Sequence, residues 1–206
     1  MSAAYWQAVT GLGGMDRLRR RAFLAVSLDR PYDLTGAAMF LTYERNIVKL
    51  AEHLGLPLSY VTSHDIAAEP DLLDGASALI SPGHDEYWSP PERAHVTAAR
   101  DAGMNIAFLG ANAMFRRTRL EDRLVVCYKG SYPEDPMYGI DNTLVTSDWR
   151  EGPDPAPESS LIGTIYEGYP VDASYVVTAA ASWPFKNTGI QNDTGFAHLG
   201  NPGNLQ

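Results

Sequence analysis

The chain contains a single cysteine, Cys127, among its 206 residues. One cysteine excludes an internal disulfide and is typical of a protein from a reducing compartment. No apolar run reaches the roughly 20 residues of a membrane-spanning helix, and residues 1–23 lack the continuous apolar core of a signal peptide. A net charge of −9 argues against nucleic acid as a partner, because the phosphates would repel the chain. We therefore expect a cytoplasmic protein that binds neither membrane nor nucleic acid.

The remaining composition, with 45% hydrophobic and 20% charged residues, suits one globular domain. Short apolar runs predict four strands that are neighbours in one sheet, near residues 22–28, 57–62, 77–81 and 104–109. Helices are predicted at 38–54, which ends at Gly55, and at 90–102, which ends at Gly103. Alternation of strands and helices with short connections favours a mostly parallel sheet with helices on both faces, a three-layer α/β fold.

The pattern changes after Phe115. Residues 123–131 and 160–169 predict further strands, and segments rich in Pro, Asp and Gly predict long loops between them. We expect one domain over residues 1–206, with irregular termini at 1–21 and 187–206. The lack of clear terminal elements is compatible with a domain excised from a longer protein.

The turn between the strand at 77–81 and the helix at 90–102 carries the densest chemistry in the chain. Five consecutive side chains there can donate, accept, ligate or stack: His84, Asp85, Glu86, Tyr87 and Trp88. Ser89 and Glu92 then form a capping box that begins the helix. Ligands of open α/β sheets bind outside the carboxyl ends of the strands, so we predict the functional site at this turn.

A second turn, at residues 110–113, follows the strand at 104–109 and contains neither serine nor cysteine. A nucleophile elbow would need one of them there, and Cys127 lies in an apolar strand, where it is predicted to be a core residue. Covalent Cys–His catalysis is therefore disfavoured. Asn112 is predicted either to orient a substrate carbonyl or water or to stabilise the turn. We expect the two turns to place four side chains around one pocket: His84, Glu86, Tyr87 and Asn112.

Four segments resemble, in fixed order, the large-subunit family of N,N-dimethylformamidase: "GHDEYWS", "AARDAGMNIAFLGANAMF", "VVCYKGSYPEDPMYGIDN" and "PESSLIGTIYEGYPVDA". The resemblance covers roughly residues 22–185. It implies a fold similar to the class I glutamine amidotransferases, which is flavodoxin-like. It also implies a mononuclear Fe(III) that is held by two tyrosinates and a glutamate and that activates water to hydrolyse a small amide.

Carried over by position, Tyr87 in "HDEYW" matches the first tyrosine, and Tyr128 in "VCYKG" is the candidate for the second. Each keeps a plainer alternative, since Tyr87 could close the strand end beside Trp88 and Tyr128 could pack within its strand. The chain has no secure match for the family's glutamate. Glu44, on the apolar face of the helix predicted at 38–54, is the candidate for that ligand, with an ion pair at the helix edge as the alternative.

The polar residues before Tyr87 suggest how a proton would move. His84 is predicted to act as general base or to support a metal ligand. Glu86 is predicted to hold His84 in one tautomer, or else to point to solvent.

The expected function is a metal-dependent amidohydrolase of the dimethylformamidase type, acting on the C–N bond of a small amide. Two alternatives stay open: a non-catalytic binding or assembly domain that keeps the fold, and a carbohydrate-related enzyme. The expected partner is a small-molecule amide, and a homo-oligomer or a second subunit stays open.

Overall fold

A computed structural model of the chain describes residues 24–29, 36–37, 39–110, 112–168 and 173–199. They form two compact units, which divide between Tyr166 and Glu167. Within these ranges, no helix combines the length and apolar character that crossing a bilayer requires. The single domain expected over 1–206 stays a prediction, and the irregular terminus expected at 1–21 lies outside the described residues.

The first unit combines short strands with helices. Its strands are β1 (Ala25–Ser27), β2 (Ala78–Pro82), β3 (Tyr87–Trp88), β4 (Asn105–Leu109), β5 (Arg116–Arg117), β6 (Arg119–Glu121) and β7 (Leu124–Val126). Its α-helices are α1 (Arg45–His53), preceded by a π-helical turn at Phe40–Glu44, then α2 (Ser63–Ala68), α3 (Pro90–Asp101) and α4 (Ser159–Ile162). Short 3₁₀ segments lie at Lys129–Glu134, which is kinked at Ser131, and at Asn142–Leu144.

Two short parallel pairs carry the turn that follows β2. β2 pairs with β4, with Ala78 opposite Asn105. β3 pairs with β5, with Tyr87 opposite Arg116. The parallel pairing predicted for the strands near 77–81 and 104–109 is therefore confirmed, and α3 lies between them in the chain.

The predicted partners of this sheet do not join it. β1, in the stretch predicted at 22–28, pairs antiparallel with β7 instead, and β7 also pairs antiparallel with β6. Residues 57–62 form no strand but an irregular connection, because Thr62 and Asp65 close a capping box that begins α2. The prediction of a four-stranded parallel sheet was therefore wrong for the strand near 22–28, which pairs elsewhere, and for the strand near 57–62, which does not form. The described residues form a mixed α/β structure with small sheets, some of them parallel, and a three-layer flavodoxin-like arrangement is not confirmed.

The helix predictions were more accurate than the strand predictions. The capping box at Ser89 and Glu92 is formed in both directions, and α3 follows it. The helix predicted at 38–54 is present as the π-helical turn and α1, although residue 38 lies outside the described residues.

The strands predicted after Phe115 were overestimated. In the stretch at 123–131, only Leu124–Val126 is extended, and a 3₁₀ turn begins at Lys129. The stretch at 160–169 was wrong as a strand, because its first residues form α4, which ends at Gly163 with a φ of 77°. Short apolar runs do not distinguish strands from buried helical turns, so tertiary packing decided these segments.

The core of the first unit packs behind the turn that carries the polar residues. Trp88 is 1% exposed and Val96 is 0% exposed, and the ring of Trp88 lies 5.9 Å from that of Phe108. The core cluster contains Ile66, Leu73, Trp88, Val96, Met104, Met114, Trp149 and Leu161. Successive residues of a strand point to opposite faces, so burying Trp88 turns Tyr87 away from this core.

The second unit is built around a hairpin. β8 (Ala173–Val176) pairs antiparallel with β9 (Gly195–Leu199), and a 3₁₀ turn lies at Trp183–Phe185. The rings of Tyr175 and Phe196 stack with their centroids 5.7 Å apart. The terminus expected to be irregular at 187–206 therefore contains a strand, and residues 200–206 lie outside the described residues.

A close approach between the two turns yields a test of this arrangement. A Cβ atom at Gly110 would lie 1.7 Å from the carbonyl oxygen of Gly83. We expect Gly110→Ala to lower the free energy of unfolding by about 1–3 kcal/mol, because the ends of β2 and β4 would have to separate. Urea denaturation would measure the change.

Gly130→Ala is the matched control, because nothing lies within 4 Å of a Cβ atom placed at Gly130. Its free energy of unfolding should stay within about 1 kcal/mol of that of the parent. Equal stability of the two variants would contradict the close approach of the two turns.

Candidate functional site

A cavity of about 450 Å³ opens beside the turn that follows β2. Its polar lining comes from α2, from the turn and α3, and from the residue after β5: Thr62, Ser63, His64, His84, Asp85, Glu86, Tyr87, Ser89, Glu92 and Thr118. Its apolar lining comes from the antiparallel sheet: Leu28, Leu120 and Val125. The cavity thus has a polar side and an apolar side, and its volume is in the range of sites for small molecules.

Main-chain hydrogen bonds hold the turn in place. The N–H groups of Met114 and Arg116 donate to the carbonyls of Asp85 and Glu86, each over 2.8 Å. Met114 is fully buried and has a φ of 52°. Residues other than glycine seldom adopt this left-handed conformation. Such strained backbone persists only where the surrounding structure imposes it, and it often marks functional sites.

The structure brings His84 and Glu86 together at the cavity. His84 Nε2 lies 2.9 Å from Glu86 Oε2, and the other carboxylate oxygen lies 3.5 Å from Arg116 Nε. Arg116 also forms an ion pair with Asp148. Burial alone would raise the pKa of Glu86, but the hydrogen bond to His84 and the charges of His84, Arg116 and Lys129 lower it. Glu86 is therefore an ionised partner that can fix the orientation of His84.

Two further carboxyl groups, on Asp85 and Glu92, line the same cavity. Ser81 Oγ donates to Asp85 Oδ2 over 2.6 Å, and burial raises the pKa of Asp85. Glu92 is 2% exposed, and burial together with the charge of Asp85 raises its pKa to about 8. Sequence reasoning assigned these two residues to a turn and a helix cap, so it missed the pair. The signal was available, since a strand end and the following helix start face the same edge of a sheet.

Tyr87 and Tyr128 lie on neighbouring segments. Tyr87 is half-buried and lines the cavity, and burial, with the charge of Glu86, raises the pKa of its phenol above the ordinary value. Tyr128 follows β7, and its N–H donates to Thr146 Oγ1 over 2.8 Å. The next residue, Lys129, reaches back so that its Nζ lies 5.4 Å from the ring centroid of Tyr87. Lys129 is a further residue beside the site that sequence reasoning missed.

Glu44 and Asn112 were also predicted as site residues. Glu44 lies beside the turn that follows β2, whereas Asn112 lies outside the cavity lining. A Cβ atom at Gly83 would lie 3.0 Å from Glu44 Cγ, and burial with the charge of Asp85 raises the pKa of Glu44. Asn112 has a φ of 59°, and its Oδ1 is buried without a hydrogen-bond partner among the described residues. Contrary to the expectation of a shared pocket, Asn112 is not among the described residues that line the cavity.

The position of Cys127 agrees with its assignment to the core. The residue is 3% exposed, and its thiol points to the carbonyl of Arg117 at 3.7 Å. Burial raises the pKa of this thiol to about 12, which keeps it protonated and unreactive.

The donor set at this end of the sheet limits which metal site can form. Among the described residues, no group of three or more His, Cys, Asp and Glu side chains is placed to hold a metal ion. A metal here would therefore depend on phenol oxygens as well as carboxylates. Tyr87 and Tyr128 carry such oxygens, and phenolate oxygen is a hard donor of the kind that suits a trivalent ion.

Comparison with known families decides where the chain belongs. The family described as N,N-dimethylformamidase beta subunit-like, C-terminal, matches residues 4–201. The chain belongs to this family. The resemblance drawn from four segments is therefore confirmed. No curated protein matches the chain.

Within this dimethylformamidase-like domain, Glu92 provides a test of the cavity's electrostatics. Because its folded pKa of about 8 exceeds the ordinary 4.5, its contribution to stability is present below about pH 4.5 and lost as pH rises through about 8. Glu92→Gln should keep the cap acceptor and remove this loss. We expect the fall in unfolding free energy between about pH 5 and pH 9 to be smaller in the variant by roughly 2–4 kcal/mol.

Urea denaturation at the two pH values would measure that difference. Glu69→Gln, which alters an exposed carboxyl group, is the control and should keep the parent's pH dependence. A Glu92→Gln variant with an unchanged pH dependence would mean that Glu92 is ionised in the folded protein.

Proposed function

We propose that the chain is an amidohydrolase that cleaves the C–N bond of a small amide. Family membership supports the reaction class. The observation that carries the proposal is the pairing of His84 with Glu86 on the wall of a cavity that Tyr87 also lines. A general base held by a carboxylate beside a metal-binding phenol is the arrangement that water activation needs.

The proposal includes an Fe(III) ion held by the phenolates of Tyr87 and Tyr128 and the carboxylate of Glu44. When bound, such an ion supplies Lewis-acid chemistry, which polarises the amide and lowers the pKa of water. Burial raises the pKa of the Tyr87 phenol, so the phenolate needs a nearby positive charge, which a trivalent ion provides. Glu44, the last residue of the π-helical turn before α1, contributes a carboxylate from a position beside Gly83.

In the proposed mechanism, His84 and Glu86 carry out the proton transfer. Glu86 accepts a hydrogen bond from Nε2–H of His84, which leaves Nδ1 free to accept a proton. Nδ1 takes this proton from water as the water oxygen attacks the amide carbon, and returns it to the nitrogen as the C–N bond breaks. Asn112 is left out of this mechanism, because it is not among the described residues that line the cavity.

The cavity suggests what the substrate looks like. Its apolar side, formed by Leu28, Leu120 and Val125, suits small alkyl substituents, while the polar side faces the reacting amide. The family description as beta subunit-like supports assembly with a second subunit or a second copy.

The phenolate ligands give the proposal a visible signature. Protein expressed with ample iron should be coloured, because a tyrosinate bound to Fe(III) absorbs visible light. Tyr87→Phe and Tyr128→Phe should each lose the colour and amide hydrolysis, since metal binding depends on the number of deprotonated ligands. Absorbance spectra, metal analysis and an assay of N,N-dimethylformamide hydrolysis would measure these losses.

Tyr138→Phe, which alters an exposed ring, should keep colour and activity. A parent protein that stays colourless and free of iron would contradict the metal proposal. That result would favour a non-catalytic binding or assembly domain.

The proton-transfer step has a separate test. His84→Ala should lower kcat by about 10²–10⁴-fold, because general base catalysis is worth that much, and should leave the colour in place. Glu86→Gln should lower kcat less, since the histidine keeps a hydrogen-bond partner. Steady-state kinetics would measure both effects, with His53→Ala, in an exposed position, as the control. Full activity of His84→Ala would exclude His84 as the base.

A further inference from the structure

We infer that Lys129 is a positioning residue, which holds the ring of Tyr87 in the orientation that ligation requires. This inference rests on the proposed role of Tyr87 as a metal ligand. It is carried by three observations: the contact between the two side chains, the backbone conformation of Lys129 and the shortness of the strand that bears Tyr87.

The contact joins residues that are distant in sequence. Lys129 Nζ lies 5.4 Å from the centroid of the Tyr87 ring, within the range of cation–π attraction. Lys129 is half-buried, so its long side chain has given up rotamer freedom that a surface lysine keeps. An ordered lysine in this place needs a compensating interaction, and the face of the tyrosine ring supplies one.

The backbone at Lys129 is strained. Its φ is 54°, a left-handed conformation that is strained for a residue with a Cβ atom. The bend is imposed by its surroundings, because the preceding N–H, of Tyr128, donates to Thr146 Oγ1. Thr146 Oγ1 in turn donates to Asp135 Oδ2 over 2.8 Å. Glycine would adopt this conformation without strain, so the backbone at this position does not by itself favour a lysine.

Tyr87 needs such support because its strand is short. β3 comprises Tyr87 and Trp88, and it pairs with β5 through these two positions. Trp88 is locked in the core, whereas Tyr87 points the other way, toward the cavity. Other charged groups around Lys129 are Glu86, Arg116 and Asp148. Arg116 is shared between the two carboxylates, and the ammonium group of Lys129 lies over the aromatic ring of Tyr87.

Three variants of Lys129 separate positioning from stability. Lys129→Met removes the charge and keeps the length, Lys129→Arg keeps the charge, and Lys129→Gly removes the side chain and relieves the backbone strain. Lys49→Met, in an exposed position of α1, is the control. We expect Lys129→Gly to melt at or above the temperature of the parent, so that its effects on Tyr87 are not effects of unfolding.

The first readout needs no metal. In protein with isotope-labelled tyrosine rings, the NMR signals that disappear in Tyr87→Phe belong to Tyr87. These signals should shift and broaden in Lys129→Met and Lys129→Gly, and should be largely restored in Lys129→Arg and unchanged in Lys49→Met. Identical Tyr87 signals in the parent and all Lys129 variants would overturn the inference.

The second readout is the affinity for Fe(III). Residues that orient a metal ligand typically contribute about 10–100-fold to metal affinity, so Lys129→Met should weaken binding by that factor and Lys129→Arg should restore most of it. A parent that binds no iron, but whose Tyr87 signals shift in Lys129→Met, would refute the proposed function and keep the positioning role. A parent that binds iron, with iron affinity and Tyr87 signals both unchanged in Lys129→Met, would refute the positioning role and keep the proposed function.

Discussion

The candidate site depends on the main-chain pairing between the turn after β2 and the segment that leads into β5. The N–H groups of Met114 and Arg116, and then of Thr118, donate to carbonyls of residues 85, 86 and 88. These bonds connect two turns that the chain separates by a helix and a strand. Because the peptide groups are fixed, the side chains between them leave the backbone in fixed directions. The pairing of His84 with Glu86 and the burial of Trp88 both follow from this constraint.

The cavity buries acids in two different ways. Glu86 stays ionised, because His84, Arg116 and Lys129 surround it with positive charge. Among the described residues, no positive charge lowers the pKa of Glu92, so burial favours its protonated form instead. Charges removed from water must be paired or neutralised. The two solutions give the cavity both an ionised carboxylate that is hydrogen-bonded to His84 and a protonated carboxyl group.

Local signals in the sequence were sufficient where neighbouring residues decide the structure. The capping box at Ser89 predicted α3 correctly, because both of its hydrogen bonds lie within one helical turn. The apolar run at 57–62 failed as a strand, since Thr62 begins α2. The run at 22–28 does contain a strand, but it pairs with β7. A run of a few apolar residues carries no information on which partner it will find.

The sequence by itself determined the family of the chain, the polar turn at the end of β2 and the absence of a nucleophile from the turn at 110–113. These properties are written in residue types and their order. Only the tertiary structure decided that Glu92 shares its surroundings with Asp85 and that Lys129 reaches the ring of Tyr87. Each of these contacts joins segments from different elements. Their strength depends on distance and burial, which the order of residues along the chain does not specify.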